Sequence, residues 1–145
     1  MSDSQRFPVA VHALVYLAHK GATSAERAVS SAALAASVPT NPVVVRRVTA
    51  MLAKAGLIET RAGAGGGAWL AKGADAISLD KVLRAVNGCA HLGCPPPGAD
   101  GCPVSQSIPR AVSAAIKAAD EAAAGRLAEI SVADLLSEVE EAAAA

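Results

Sequence analysis

The chain has 145 residues, the size of one domain or of a small domain plus an arm. It is 52% hydrophobic yet only 2% aromatic, and its many alanines favour helix while burying little area each, so a thin helical core that leans on a partner subunit is expected. Formal net charge is zero but divided: residues 1–73 hold eight Lys/Arg against three Asp/Glu, and residues 74–145 five against ten, so an anionic partner such as nucleic acid suits only the N-terminal half.

No apolar run is long enough for a transmembrane helix. The opening "MSDSQRF" lacks the basic-then-apolar pattern of a secretory signal. A cytoplasmic protein is therefore expected. Three cysteines in a reducing compartment point to metal, redox or free-thiol chemistry rather than to a disulfide framework.

"RFPVAVHALVYLAHKG" reads as a first helix, with Pro8 at its first position and Gly21 as its stop. Residues 22–29 read as a loop. "SSAALAASV" is a short helix capped by Ser30 or Ser31, and "PTN" is a tight turn. "NPVVVRRVTAMLAKAG" is the clearest helix: Asn41 is a good N-cap, Pro42 follows it, and Gly56 fits just past the end. Val45, Val48, Leu52 and Ala55 form an apolar stripe. Val43, Arg46, Arg47, Ala50 and Lys54 fall on another face.

In "LIETRAGAGGGAWLAKG", extended segments near Ile58–Arg61 and Ala68–Ala71 flank a glycine-dense tip, which reads as a hairpin. "SLDKVLRAVNG" reads as a helix with Leu79, Val82, Leu83 and Val86 on one side, ended by Gly88. The stretch "NGCAHLGCPPPGADGC" then holds all three cysteines. Residues 104–124 read as a longer helix presenting Val104, Ile108, Val112, Ile116 and Ala119, with Pro109 in its first turn. "SVADLLSEVEEA" is a last helix, opened by a capping-box-like Ser131 and Asp134.

Two helices joined by a short turn and followed by a Gly-rich hairpin have the order of a winged helix-turn-helix. In that arrangement the second helix enters the major groove and its N-terminal half reaches base edges. Arg46 and Arg47 lie in that half, and arginine can bind guanine O6 and N7 with two hydrogen bonds. Lys54, two turns on, suits phosphate. Asn41, Arg61 and the backbone of Gly63, Gly65, Gly66 and Gly67 are placed to position the duplex, with Val43 on the same face. A solvated cationic face beside a floppy loop is the plainer reading. "GAGGGA" formally fits a dinucleotide fingerprint, but no helix follows it, and no G-K-[ST] triplet exists for a P-loop. Cys89 and His91 do not by themselves make a nucleophilic centre, so no enzyme is expected. A winged-helix adaptor that binds protein rather than DNA is the structural alternative.

These stretches carry a resemblance. "RFPVAVHALVYLA", "TNPVVVRRVTAMLAKAGLIETRAGAGGGAWLAK" and "CPVSQSI" resemble the IscR/NsrR-type (Rrf-two) bacterial transcription regulators over nearly the whole chain. The resemblance implies homodimers that bind roughly palindromic double-stranded operators and mostly repress. It implies a dimer interface on the long helix, and base-reading positions at Arg46 and Arg47. Family wings usually carry Arg just before the first glycine; here that residue is Ala62, with Arg61 one earlier. The fold expected is mainly α: residues 1–75 a winged helix-turn-helix, 76–103 a linking helix and cysteine-containing sensor loop, and 104–145 a dimerisation helix with a C-terminal helix.

In cluster-bearing members, three cysteines of this loop hold an iron–sulfur cluster with a fourth ligand from elsewhere. The spacing C-x4-C-x7-C here departs from theirs. Some members supply an Asp from the other subunit, where this chain has Pro8. For Cys89, Cys94 and Cys102 with His91 and Asp100, four readings stay open: an iron–sulfur cluster, a thiol switch, zinc, or three inert thiols. No cofactor is assigned.

Overall fold

A computed structural model of the chain describes residues 5–87 and 92–145. Six helices and one hairpin follow one another: α1 Arg6–His19, α2 Ser31–Ser37, α3 Pro42–Lys54, β1 Ile58–Arg61, β2 Gly67–Leu70, α4 Leu79–Val86, α5 Pro103–Leu127 and α6 Val132–Ala144. The expected mainly α winged helix-turn-helix is the observed architecture.

The helix ends follow from the residues that close them. α1 and α3 both end in a glycine of positive φ, Gly21 at 63° and Gly56 at 72°. In each, the glycine N–H reaches back to Ala18 or Ala53, and the next N–H reaches Leu17 or Leu52. This double closure satisfies carbonyls that the helix leaves open. α1 starts at Arg6, so Pro8 is its third residue rather than its first. Ser30 is the residue that caps α2, accepting from the Ala33 N–H at 3.1 Å.

One core runs through the N-terminal half. Leu14 and Leu17 of α1, Leu34 of α2, Val48 and Leu52 of α3, and Val82 and Val86 of α4 are essentially inaccessible. Val45, Val48 and Leu52 form the buried stripe of α3, while Ala55, expected to continue it, is the exposed C-cap. β1 and β2 pair antiparallel with Ile58 opposite Leu70 and Arg61 opposite Gly67, one residue earlier in β2 than expected. The segment 22–29 is more than a loop. Val29 exchanges both backbone hydrogen bonds with Ala68, at 2.9 and 2.8 Å, and the Leu70 N–H donates to the Ala22 carbonyl at 2.8 Å. The hairpin is thereby pinned along its β2 edge.

α6 returns to this half. Its capping box is formed as expected, with Asp134 N–H donating to Ser131 Oγ at 3.1 Å and Ser131 N–H to Asp134 Oδ2 at 2.8 Å. The Val132 N–H donates to the Ile77 carbonyl and the Leu79 N–H to the Ile130 carbonyl, each at 2.9 Å. These bonds tie the start of α6 to the start of α4, and α6 packs along α1.

α5 is different. It has 25 residues, longer at both ends than 104–124, and none of them is buried. Pro109 is its seventh residue, not part of the first turn. Proline offers no N–H to the carbonyl four residues back, here that of Ser105. The preceding loop lies against that point: a Cβ on Gly98 would come 2.3 Å from the Ser105 oxygen, and the Ala99 N–H donates to Ser105 Oγ at 2.8 Å. No helix among the described residues is long and apolar enough to cross a membrane.

Candidate nucleic-acid interface

The face begins at the entrance to α3. Asn41 Oδ1 accepts the Val43 N–H at 2.9 Å, which satisfies one of the open donors of the first turn. Pro42 sets the backbone at the first position. The buried stripe Val45, Val48 and Leu52 then fixes the helix's rotation, so Val43, Arg46, Arg47, Ala50 and Lys54 are all exposed. Arg46, Arg47 and Lys54 make no ion pair or side-chain hydrogen bond among the described residues. Three cations without local partners on one helix face are free to meet an anion.

The wing stands beside this helix because β1 packs on α3. Its tip is closed by the Gly66 N–H on the Gly63 carbonyl at 3.0 Å. Its glycines answer to space as well as to turn geometry. A Cβ on Gly66 would lie 2.1 Å from the Arg61 carbonyl, and one on Gly67 would lie 2.2 Å from that of Val29. Arg61 is partly occupied: its Nη2 donates to the Gly65 carbonyl at 3.2 Å. Its charge also contributes to holding the Glu26 carboxyl below the usual carboxylate range, after the Ser24 hydroxyl and the hydrogen bond to Glu26's own backbone. Arg61 therefore braces the wing tip with one of its guanidinium nitrogens.

Sequence patterning did not reveal the Val29 and Ala22 pairings, nor Glu26 beside the wing. A single bridging residue has no periodicity to read.

The model of the Rrf2 family, described as iron-dependent transcriptional regulators, matches residues 3–138. The chain belongs to the Rrf2 family. YwnA of Bacillus subtilis (strain 168), named as an HTH-type transcriptional regulator, is 35% identical over 92% of this chain and 96% of its own length. A transcriptional-regulator structure from Lactobacillus plantarum superposes with a TM-score of 0.73 at 25% identity, covering 94% of this chain and 90% of the other. T. potens IscR superposes with a TM-score of 0.63 at 26% identity, covering 98% and 90%. This Rrf2 protein is a DNA-binding transcriptional regulator, and the basic face just described lies on its helix-turn-helix.

Cys94 and Cys102 are exposed free thiols, and Asp100 is exposed between them. Cys102 is the N-cap residue of α5. Cys94 lines a cleft of about 840 Å³ between α4 and α5, with Leu83, Asn87, Pro95, Pro109 and Ile116. Cys89 and His91 lie outside the described residues, as does Gly88. Among the described residues, no three His, Cys, Asp or Glu side chains come together to hold a metal ion. Cys94, Asp100 and Cys102 alone do not fit an iron–sulfur cluster or zinc.

Proposed function

We propose that this regulator is a cytoplasmic homodimeric repressor, a binding protein rather than an enzyme, whose α3 reads a roughly palindromic duplex. In this reading Arg46 and Arg47 hydrogen-bond guanine edges. Lys54, Asn41, Arg61 and the backbone of the wing glycines hold phosphates. The observation that carries it is the set of three unpaired cations on α3, oriented outward by the buried Val45–Val48–Leu52 stripe.

Dimerisation is supported by α5. Val104, Ile108 and Val112 recur every four residues along it and are 69, 49 and 36% exposed. A second copy of α5 covering that stripe would set two recognition helices at the spacing of two half-sites.

The decisive test compares two variants by DNA binding across salt concentrations. Arg46→Ala should weaken specific operator binding by about 1–3 kcal/mol and relax base preference at one position. Lys54→Ala should weaken binding across all sequences and flatten the salt slope by about one charge. An unchanged footprint in both variants would refute the assignment.

For the loop we propose a thiol switch. A peroxide oxidises Cys94 and Cys102 to a disulfide; the thiols give up two protons and two electrons, and the peroxide O–O bond breaks to give two waters, or one water and an alcohol from an organic hydroperoxide. The observation favouring it is placement: one thiol lines the α4–α5 cleft and the other belongs to the N-cap residue of α5, so joining them would tie the loop in that cleft to the start of the proposed dimer helix. The iron-dependent description of the family keeps a cluster as the second reading, with Cys89 as a further thiolate. Anaerobic purification followed by a visible spectrum and iron, sulfide and zinc analysis separates them. A colourless, metal-free protein that peroxide releases from DNA supports the switch; a brown protein containing iron and sulfide overturns it.

A further inference from the structure

Val43 is 51% exposed at the second position of α3. An exposed apolar side chain is ordinary in itself. Its neighbourhood is what distinguishes it. The other large exposed hydrophobics among the described residues, Leu92, Val104, Ile108, Val112 and Val139, lie in the cysteine loop, on α5 or on α6. Val43 instead shares its helix face with Arg46 and Arg47. A lone valine beside two cations is far smaller than the apolar patches, several hundred Å² across, that mark protein docking sites.

The residue is also held ready. Its N–H is fixed by the Asn41 side chain at 2.9 Å, and a β-branched side chain in a helix has one strongly preferred rotamer. Its methyl groups therefore lose little freedom on contact. Residues at the start of a recognition helix are the ones that reach base edges. Among the groups that bases present in the major groove, the thymine C5-methyl is the apolar one.

We infer that Val43 packs against a thymine methyl group, so that each operator half-site carries a thymine within two base steps of the guanine read by Arg46 or Arg47. This rests on the reading of α3 as the recognition helix. Three residues advance about 4.5 Å along a helix, and successive bases are about 3.4 Å apart. The thymine accordingly falls one or two base steps from the guanine.

The probes are duplexes enriched from a random library by the native protein, with binding measured at one fixed salt concentration. Thymines are replaced singly by deoxyuridine, which removes the methyl group and keeps the pairing edge and O4. One position per half-site should lose about fourfold in affinity, the worth of one buried carbon group. Val43→Ala should bind the thymine duplex more weakly by a similar factor and discriminate far less between the two bases there. A Val43→Ala protein that discriminates as the native one does overturns the inference. So does a native protein that binds the enriched duplex yet ignores uracil at every position, an outcome that leaves the recognition-helix reading standing. Failure to enrich or bind any duplex in a salt-dependent way removes both. The uracil series needs only native protein, so the folding of the variant does not govern the answer.

Discussion

Residues 5–87 and helix α5 are built on opposite terms. The first region closes a core over side chains from four helices and the hairpin, many of them fully inaccessible. The second extends 25 residues without burying one. A helix gains most of its stability in a protein from packing an amphipathic face rather than from propensity. The N-terminal region therefore owes its shape to contacts within the chain, whereas α5 carries its apolar stripe outward, toward the partner copy proposed above. Alanine-rich composition has a different consequence in each place: in α1, Ala10 and Ala13 let neighbouring helices come close, while on α5 small side chains leave Val104, Ile108 and Val112 standing proud.

The contrast is broken most strongly from the core side. Leu52→Ala removes a fully buried side chain and should cost about 2–5 kcal/mol in denaturant unfolding of the whole N-terminal unit. Ile108→Asp should do the reverse. Half-exposed in the single chain, it should leave secondary structure intact and weaken self-association by roughly ten- to a hundredfold, the value of burying one such side chain. Sedimentation at several concentrations would show this. A variant that remains fully associated would remove the stripe from the interface.

The wing offers a subtler contrast within the N-terminal unit. Gly67→Ala places a methyl against the Val29 carbonyl, so the pinned edge must open, at about 1–3 kcal/mol by the usual cost of overpacking. Hydrogen exchange at the Ala68 and Val29 amides should accelerate. Gly125 of α5 has nothing within 4 Å of its would-be Cβ. Gly125→Ala should accordingly be neutral or slightly stabilising, since alanine favours a helix interior by about 1 kcal/mol over glycine.

Elements governed by local chemistry were legible from the sequence. The cap at Asn41, the stops at Gly21 and Gly56, the apolar stripe of α3 and the capping box of α6 are each set by residues within one or two turns of one another. The same locality made Arg46, Arg47 and Lys54 readable as an exposed face. Features set by distant residues were not legible. Val29 joins the hairpin only because α1 and α2 bring it there. Gly67 is required less by its own turn than by that approach. Pro109 stands seventh in a helix counted from Pro103 and sixth in one counted from Val104, so its place beyond the first turn follows from position alone and the expected first-turn place was a miscount. Cys94 and Cys102 could be located in a loop, but not in relation to the α4–α5 cleft, whose walls lie far apart in sequence.

The smallest expected effect tests how the two regions meet. α6 follows α5 directly, yet it is anchored to the N-terminal unit by the Ile77–Val132 and Leu79–Ile130 backbone bonds and by its capping box. The Asp134 carboxyl is held below its ordinary value of 3.8 by the Ser131 N–H and then by the Ser131 hydroxyl. A carboxyl lowered on folding contributes stability that is complete above its unfolded pKa and is lost as pH falls through the lower folded value. The native protein should therefore show faster exchange at the Asp134 and Leu135 amides as pH drops below 3.8, after correction for intrinsic rates. Asp134→Asn should abolish that extra acid sensitivity. The group is solvent-exposed, so salt should shrink the difference. If acid instead loosens α6 and α5 together, the two helices open as one unit. If only α6 responds, the capping box acts locally and α5 opens independently of it.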